Sequence, residues 1–371
     1  MKVLICIPCL LTGGTEIQTL SLVRALIQNG NQVTTVCYFE YSPDMVDCYQ
    51  KAGSKVICLS FHGERVAGIK GVIFLLKGLR RMKKKEKPDI VHVQYMTPGA
   101  IPILLLRLLN MKNIIATVHT TADIYSSLKL PRFIQKYCVR VFTCVTLKAE
   151  ESFFGESTLY TQRIILRKRN HFTIYNALPA YIQIRNESRD LNKSIVIGAV
   201  SRLEAIKGMD LIIPVFKKVK DLYPEITLLI VGDGSQKAWM CHQAKELGIE
   251  DAVSWFGKQR QSQLTYYYDQ IDILLMPSRS EGFGLTAIEG MARGCVVVAS
   301  DISGLSEVVK DKEVGLLHLR ENVDDMVDKI CYLVKNPQII RKYSDNSMEY
   351  VKRFNPERYC LLFNDLYKKL I

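Results

Sequence analysis

Arg202 and, five residues later, Lys207-Gly208 follow the Val/Ile-rich run at 195–201 and stand where a helix is due to begin. Two cations so placed suit a diphosphate, because they neutralise the charge that develops as it leaves. Further along, Ser280-Glu281-Gly282-Phe283-Gly284-Leu285-Thr286-Ala287-Ile288-Glu289 comes directly after the apolar run 273–277. Glycines on both sides of Phe283 let the backbone present N–H groups at the start of a helix, an anion-binding end. Glu281 falls in the loop and Glu289 on the helix behind it. One carboxylate can then reach hydroxyls of a sugar and the other those of a nucleotide ribose. Paired carboxylates also serve glycoside hydrolysis, but two cationic and N–H sites point to a phosphorylated leaving group.

Near the N-terminus, Leu11-Thr12-Gly13-Gly14-Thr15-Glu16 precedes Ile17, Leu20, Val23, Leu26 and Ile27 at helical period. A Gly-Gly turn between strand and helix lets backbone N–H groups approach a phosphate; a simple tight turn is the plainer reading. The motif is not G-x-G-x-x-G, and no acidic residue stands clearly at the end of the second strand, so NAD is not expected. His119 closes the run 114–119, where a strand-end histidine bonded to nearby backbone is the alternative to a catalytic one.

These residues need elements to hold them. Short apolar runs bounded by turn residues alternate with stretches of helical period, the pattern of parallel sheets covered on both faces. Strands are expected at 2–7, 32–38, 55–59, 90–94, 114–119 and 142–147, then at 195–201, 226–232, 253–256, 273–277, 296–300 and 315–319. Each half reads as its own doubly wound α/β sheet. The expected domains are 1–178, with a C-terminal helix at about 355–371 packing back on it, and 193–354, joined by a linker near 178–193. Two such domains facing each other create a cleft, and ligands in such folds sit at the carboxyl ends of the strands.

The series Gly13-Gly14, SRLEAIKG at 201–208, VGDGS at 231–235, WFG at 255–257, DILLMPSRSEGFGLTAIEGMARG at 272–294 and SDISGLSEVV at 300–309 resembles glycosyltransferase family 4. Its members are retaining enzymes of the GT-B fold, an α/β architecture of two Rossmann-like domains. The resemblance implies that Arg202 and Lys207 bind the donor diphosphate, Glu289 the ribose and Glu281 the donor sugar. Backbone N–H groups of Phe283, Gly284 and Leu285, with Thr286 and Gly232 beside them, complete that pocket. Gly13 and Gly14 would meet the distal phosphate, and His119 would sit over the donor sugar. Ser201 stands where the family usually has glycine, Ser303-Gly304 where it has Gly-Gly, and Gly290 where alanine is common; Glu307 keeps its place three residues after Gly304.

The resemblance further implies a UDP- or GDP-sugar donor, no metal and no other cofactor. The sequence offers no D-x-D: Asp123, Asp210 and Asp301 stand alone, and Asp324-Asp325 falls late in the chain. A nucleotide-sugar epimerase of the same fold and a basic-faced scaffold or nucleic-acid-binding protein are the alternatives. Aromatics such as Tyr266-Tyr267-Tyr268 stand outside the basic half, so no nucleic acid is expected.

The 371 residues carry a net charge of +13. Residues 1–180 hold 24 Lys+Arg against 11 Asp+Glu, a net of +13, and residues 181–371 hold 26 of each. Such one-sidedness points to an anionic partner for the first half alone. Much of it lies in IKGVIFLLKGLRRMKKKEK at 69–87, with apolar 69, 72, 73, 76 and 79 on one helical face and Lys77, Arg80, Arg81, Lys83, Lys84, Lys85 and Lys87 toward its end. A basic amphipathic helix of this kind can lie on an anionic membrane, or simply be a packed helix with a solvated end. Arg163, Arg167, Lys168 and Arg169 can extend the same surface. Family members with such a face often extend lipid-linked glycans, so the expected acceptor is a membrane-borne glycan or lipid in bacterial polysaccharide or glycolipid assembly. Eleven cysteines without framework spacing, no signal-peptide pattern and no spanning segment fit a cytoplasmic protein, peripheral at most on the inner face of the plasma membrane.

Overall fold

Runs such as KVLICI, buried at every position but its lysine, are continuous apolar strands because a parallel sheet is covered on both faces. The computed structural model describes residues 1–61, 63–95, 100–166, 168–189 and 194–371; Arg167 and residues 190–193 of the expected linker lie outside them. The chain divides into two compact units, Met1–Pro179 with Asn355–Ile371, and Ala180–Phe354.

In the first unit β1 (Lys2–Ile7), β2 (Gln32–Cys37), β3 (Lys55–Cys58), β4 (Ile90–Gln94), β5 (Ile114–Val118), β6 (Val141–Cys144) and β7 (His171–Thr173) form a parallel sheet in the order β3-β2-β1-β4-β5-β6-β7. The seventh strand was not anticipated, since three residues are too few to show a period. Glu150 holds it in place: the fully buried carboxylate accepts from His171 Nδ1 at 2.7 Å, Thr173 Oγ1 at 2.7 Å and Arg169 at 3.1 Å.

The second unit has β8 (Val196–Val200), β9 (Thr227–Val231), β10 (Val253–Trp255), β11 (Ile273–Met276), β12 (Val296–Ser300) and β13 (Gly315–His318), all parallel, in the order β10-β9-β8-β11-β12-β13. Chain order reverses at β8, between β9 and β11. The carboxyl ends of β8 and β11 therefore flank the switch point where such sheets bind ligands.

Two segments depart from the sequence reading. Residues 180–189, read there as linker, belong to the second unit: the Arg185 amide donates to Ala292 O at 2.8 Å and the Arg189 guanidinium to Asp272 at 3.1 Å. Helix Gly68–Glu86 buries Gly71, Leu75, Leu79 and Met82, so Ile69 and Ile73 lie on its exposed side among the cations. Gly78 sets that rotation, because a side chain there would run into Leu59. Lys83 is drawn out of the basic cluster, since its ammonium caps the Leu109 carbonyl. No described helix is long and apolar enough to cross a membrane.

The C-terminal helix Pro356–Lys368 starts at Asn355, whose side chain accepts from the Arg358 amide, and packs on helix Gly14–Gln28 of the first unit. Tyr367 from its last turn reaches His92 on β4 at 2.6 Å, and Asp365 accepts from Tyr160 at 2.7 Å. Each unit has its own continuous apolar core around its sheet.

Candidate functional site

Behind β8 the chain turns through the single-turn helix Ala205–Lys207, and behind β11 through 277–284. Arg279 ties the two loops together. Its guanidinium forks onto Asp210 with two 2.7 Å bonds and onto Glu321 with a third, while its amide donates to Ile206 O at 2.9 Å. Planar bidentate pairing fixes geometry as well as adding energy. It holds the Asp210 carboxyl below its ordinary range, so the pair stays charged.

Held in this way, the Lys207 ammonium lies against the Glu281 carboxylate, with both side chains about one-fifth exposed (21% and 17%). Arg202 is exposed, and its side chain has no hydrogen bond or ion pair among the described residues, while its carbonyl accepts from the Glu204 amide at 2.9 Å. Next to them begins helix Leu285–Ala292. Its cap, Gly284, adopts the left-handed conformation at φ 94°, which a glycine takes without strain. The amides of Gly284, Leu285 and Thr286 have no acceptor among the described residues, leaving the positive end of the helix open to an anion. Phe283 contributes backbone only: its ring is buried, edge-on to Phe354 at 5.4 Å.

Gly304, after β12, packs so closely on this loop that a Cβ would overlap the Glu281 carbonyl. That contact gives the reason for a glycine at Ser303-Gly304. Gly232 follows β9. Its amide is spent on Gly257 O at 2.8 Å, and a side chain there would overlap the Ser201 carbonyl, so its role is to let β9 pass beneath the exit of β8.

Glu289, on helix Leu285–Ala292, is buried at 5% exposed. Oε1 accepts from the Tyr181 hydroxyl and Oε2 from Tyr268, both at 2.7 Å. Burial raises its pKa, and the two tyrosines oppose the rise. Neither tyrosine was singled out for this site: Tyr181 fell in the expected linker, and Tyr268 reads as one of three adjacent aromatics. Any contact of Glu289 with a ribose is shared with these hydroxyls.

The first unit holds the remaining expected residues. Gly13 caps helix Gly14–Gln28, and its carbonyl accepts from the Ile17 amide at 3.1 Å. The Glu16 carboxylate, 4% exposed, curls back beside Gly13 and accepts from Cys9 Sγ at 3.1 Å. Burial and this carboxylate push the Cys9 thiol up to about 12. A phosphate approaching Gly13 and Gly14 thus meets a negative side chain as well as amides.

His119 follows β5 and bonds through Nε2 to Gln94 Oε1 at 2.8 Å, with the Tyr95 ring 5.5 Å away. Desolvation lowers its pKa to about 3, so the ring is neutral near pH 7. Behind it runs a buried chain from Tyr367 OH through His92 and Thr117 to Thr143, with links of 2.6, 2.6 and 2.5 Å. Thr143 donates onward to Ala116 O. Thr117 must then donate to Thr143 and accept from His92 Nε2–H, which leaves Nδ1 to accept from Tyr367. The structure thus gathers Arg202, Lys207, Glu281, Gly284, Leu285, Thr286 and Glu289 in one unit, and His119, Gly13 and Gly14 in the other. No group of three or more His, Cys, Asp or Glu among the described residues is arranged to hold a metal.

Comparison with known proteins follows the same division. A model of group 1 glycosyl transferases matches residues 182–352, and a model of glycosyltransferase family 4 matches residues 12–152. An uncharacterized glycosyltransferase of Haemophilus influenzae is 29% identical over 342 residues, 90% of each chain. The N-acetyl-alpha-D-glucosaminyl L-malate synthase of Bacillus anthracis is 23% identical over 304 residues, 79% of this chain and 78% of that one. Among solved structures, Anabaena HepE in complex with UDP-glucose superposes with a TM-score of 0.78 at 16% identity, covering 99% of this chain and all of the other.

Proposed function

This chain belongs to the glycosyltransferases of the family 4 type, with two Rossmann-like domains of the GT-B fold, and from that premise we propose that it is a retaining enzyme using a nucleoside-diphosphate sugar. The supporting observation is that Arg202, Lys207 and the open amides of Gly284, Leu285 and Thr286 all lie beyond the carboxyl ends of β8 and β11, on one edge of the sheet. Cations and amides aimed at one place stabilise a leaving diphosphate without a divalent ion. Glu281, already beside Lys207, orients that ammonium and offers its second oxygen to a sugar hydroxyl. Departure and attack occur on the same face of the sugar, with the leaving phosphate assisting the acceptor hydroxyl. HepE, whose structure holds UDP-glucose, makes a UDP-sugar the first donor to test. The acceptor is a glycan or lipid-linked glycan of the bacterial surface, and no cofactor beyond the donor takes part.

A thermal-shift panel of UDP, GDP, ADP and their sugar conjugates tests the donor. The matching diphosphate should stabilise the fold by about 2.7 kcal/mol at a hundredfold excess over its dissociation constant. Loss of the shift in Glu289→Ala places it at this site, and no shift with any of them would reject the reading.

The peripheral membrane reading rests on helix Gly68–Glu86, whose exposed side carries Ile69 (80% exposed), Ile73, Lys77, Arg80, Arg81, Lys84 and Lys85. Apolar and cationic side chains on one exposed stripe fit the interface of an anionic bilayer. Liposome flotation with and without anionic lipid tests it: equal failure to float removes the reading.

A further inference from the structure

Parallel strands put every amino end along one edge of the first unit's sheet, opposite the edge that carries Gly13, Gly14 and His119. Helix Gly68–Glu86 ends at this amino edge, as do helices Ala100–Leu108 and Lys129–Tyr137. Contacts there are explicit: Lys83 caps Leu109 O, the Arg140 amide donates to Ile114 O at 2.8 Å and the Phe142 amide to Asn170 O at 2.7 Å. The cations at the end of helix Gly68–Glu86 therefore lie away from Gly13, Gly14 and His119, which the sequence alone did not indicate.

At that edge lies a cavity of about 810 Å³. Lys136, Arg140, Lys168, Arg169 and Lys369 line it with Ile164, Ile165 and Leu370, and no carboxylate does. Two of the cations are fixed from behind, Arg169 by Glu150 at 3.1 Å and Glu156 at 3.2 Å, and Lys369 by Asp365 at 2.8 Å. Lys136, Arg140 and Lys168 are exposed and have no carboxylate partner among the described residues. On the helix that supplies Lys136, Leu130 (47%), Phe133 (48%) and Tyr137 (56%) stand exposed at i, i+3 and i+7, and Ile165, which lines the cavity, is 59% exposed. Phe133 and Tyr137 pack ring to ring at 5.2 Å.

We infer that this cavity binds the phosphate headgroup of an anionic membrane lipid, with the Leu130, Phe133, Tyr137 and Ile165 side chains entering the interface. A soluble phosphate would use the cations and leave these apolar side chains in water; an anionic amphiphile uses both, and aromatic residues favour the headgroup level. The inference rests on the peripheral membrane reading and extends it from one helix to a second contact on the same edge.

Full-length protein is partitioned between buffer and phosphatidylcholine vesicles with and without phosphatidylglycerol. Three proteins are compared: wild type, Lys136→Ala/Arg140→Ala/Lys168→Ala, and Arg80→Ala/Arg81→Ala/Lys84→Ala. Each basic residue near an anionic surface contributes about fivefold, so the cavity variant should bind anionic vesicles about a hundredfold more weakly, with an unchanged melting temperature. Phe133→Ala/Tyr137→Ala should also weaken partition at unaltered charge. A cavity variant that partitions like wild type while the helix variant does not overturns the inference and leaves the helix reading standing. Failure of wild type to bind anionic vesicles overturns both. Stabilisation of wild type by inorganic phosphate, lost in the cavity variant while vesicle binding persists, assigns the site to a soluble anion and overturns the lipid assignment.

Discussion

Tyr181 and Glu289, separated by 108 residues of chain, meet through a 2.7 Å hydrogen bond from the phenol to Oε1. With Tyr268 on the other oxygen, the carboxylate is satisfied by two neutral donors and, among the described residues, no cation. Burial raises its pKa above the ordinary 4.5. Folding therefore favours the protonated form: the stability this group contributes is complete below pH 4.5 and is lost as pH rises through the raised folded value.

Glu289→Gln, neutral throughout, should flatten that part of the stability profile in urea titrations from about pH 4 to about pH 7. Tyr268→Phe should cost about 1–3 kcal/mol, because it leaves one buried carboxylate oxygen without its donor. A pH slope in Glu289→Gln identical to wild type would refute the assignment.

Lys207→Ala should lower kcat by about 10²–10³ with the donor's Kd changed far less, if the ammonium acts chiefly on the leaving diphosphate. Arg202→Ala, exposed and without a partner to abandon, should instead weaken nucleoside-diphosphate binding with little change in melting temperature. Isothermal titration with the donor diphosphate beside steady-state kinetics separates the two, and interchangeable effects would reject this division of roles.

Gly304→Ala tests the loop. A methyl group would overlap the Glu281 carbonyl, and overpacking of this kind costs about 1–3 kcal/mol. The second unit should remain folded by circular dichroism while donor binding drops, because the displaced loop carries both Glu281 and the amides of the helix end. Unimpaired donor affinity would show that this loop position does not matter.

His92 predicts acid sensitivity. It is fully buried with a pKa lowered to about 3, so the unfolded chain takes up a proton that the folded one refuses. Its stability contribution is present above about pH 6.5 and declines as pH falls, by roughly 1.4 kcal/mol per unit between about 6.5 and 3. Denaturant midpoints of wild type and His92→Gln should converge on acidification. Tyr367→Phe, which removes the donor to Nδ1, should destabilise by about 1–3 kcal/mol and expose the C-terminal helix to protease.

Both sheets and nearly all their strands were legible in the sequence, since a strand buried on both faces must be a continuous apolar run and its neighbours must be turns and helices. The shared edge of Arg202, Lys207 and 281–289 was legible for a related reason: each lies in the loop or helix that follows a strand, and in a parallel sheet the segments after strands share one edge. The strand His171–Thr173 escaped notice because its position depends on the buried Glu150 network and not on its own three residues.

What the sequence determined by itself is therefore local: residue types, their distance from a strand end, and the confinement of the net charge to one half. Only tertiary structure decided what those residues meet. It spent the Gly232 amide on Gly257, set the Tyr181 and Tyr268 hydroxyls on Glu289, folded Glu16 back on Gly13 and turned Ile69 and Ile73 outward. It also put the cations at the end of helix Gly68–Glu86 at the amino edge of the sheet. These outcomes depend on which groups compete for one buried donor or one packing surface once the chain has folded, in one case across 108 residues, and no periodicity of apolar residues encodes that competition.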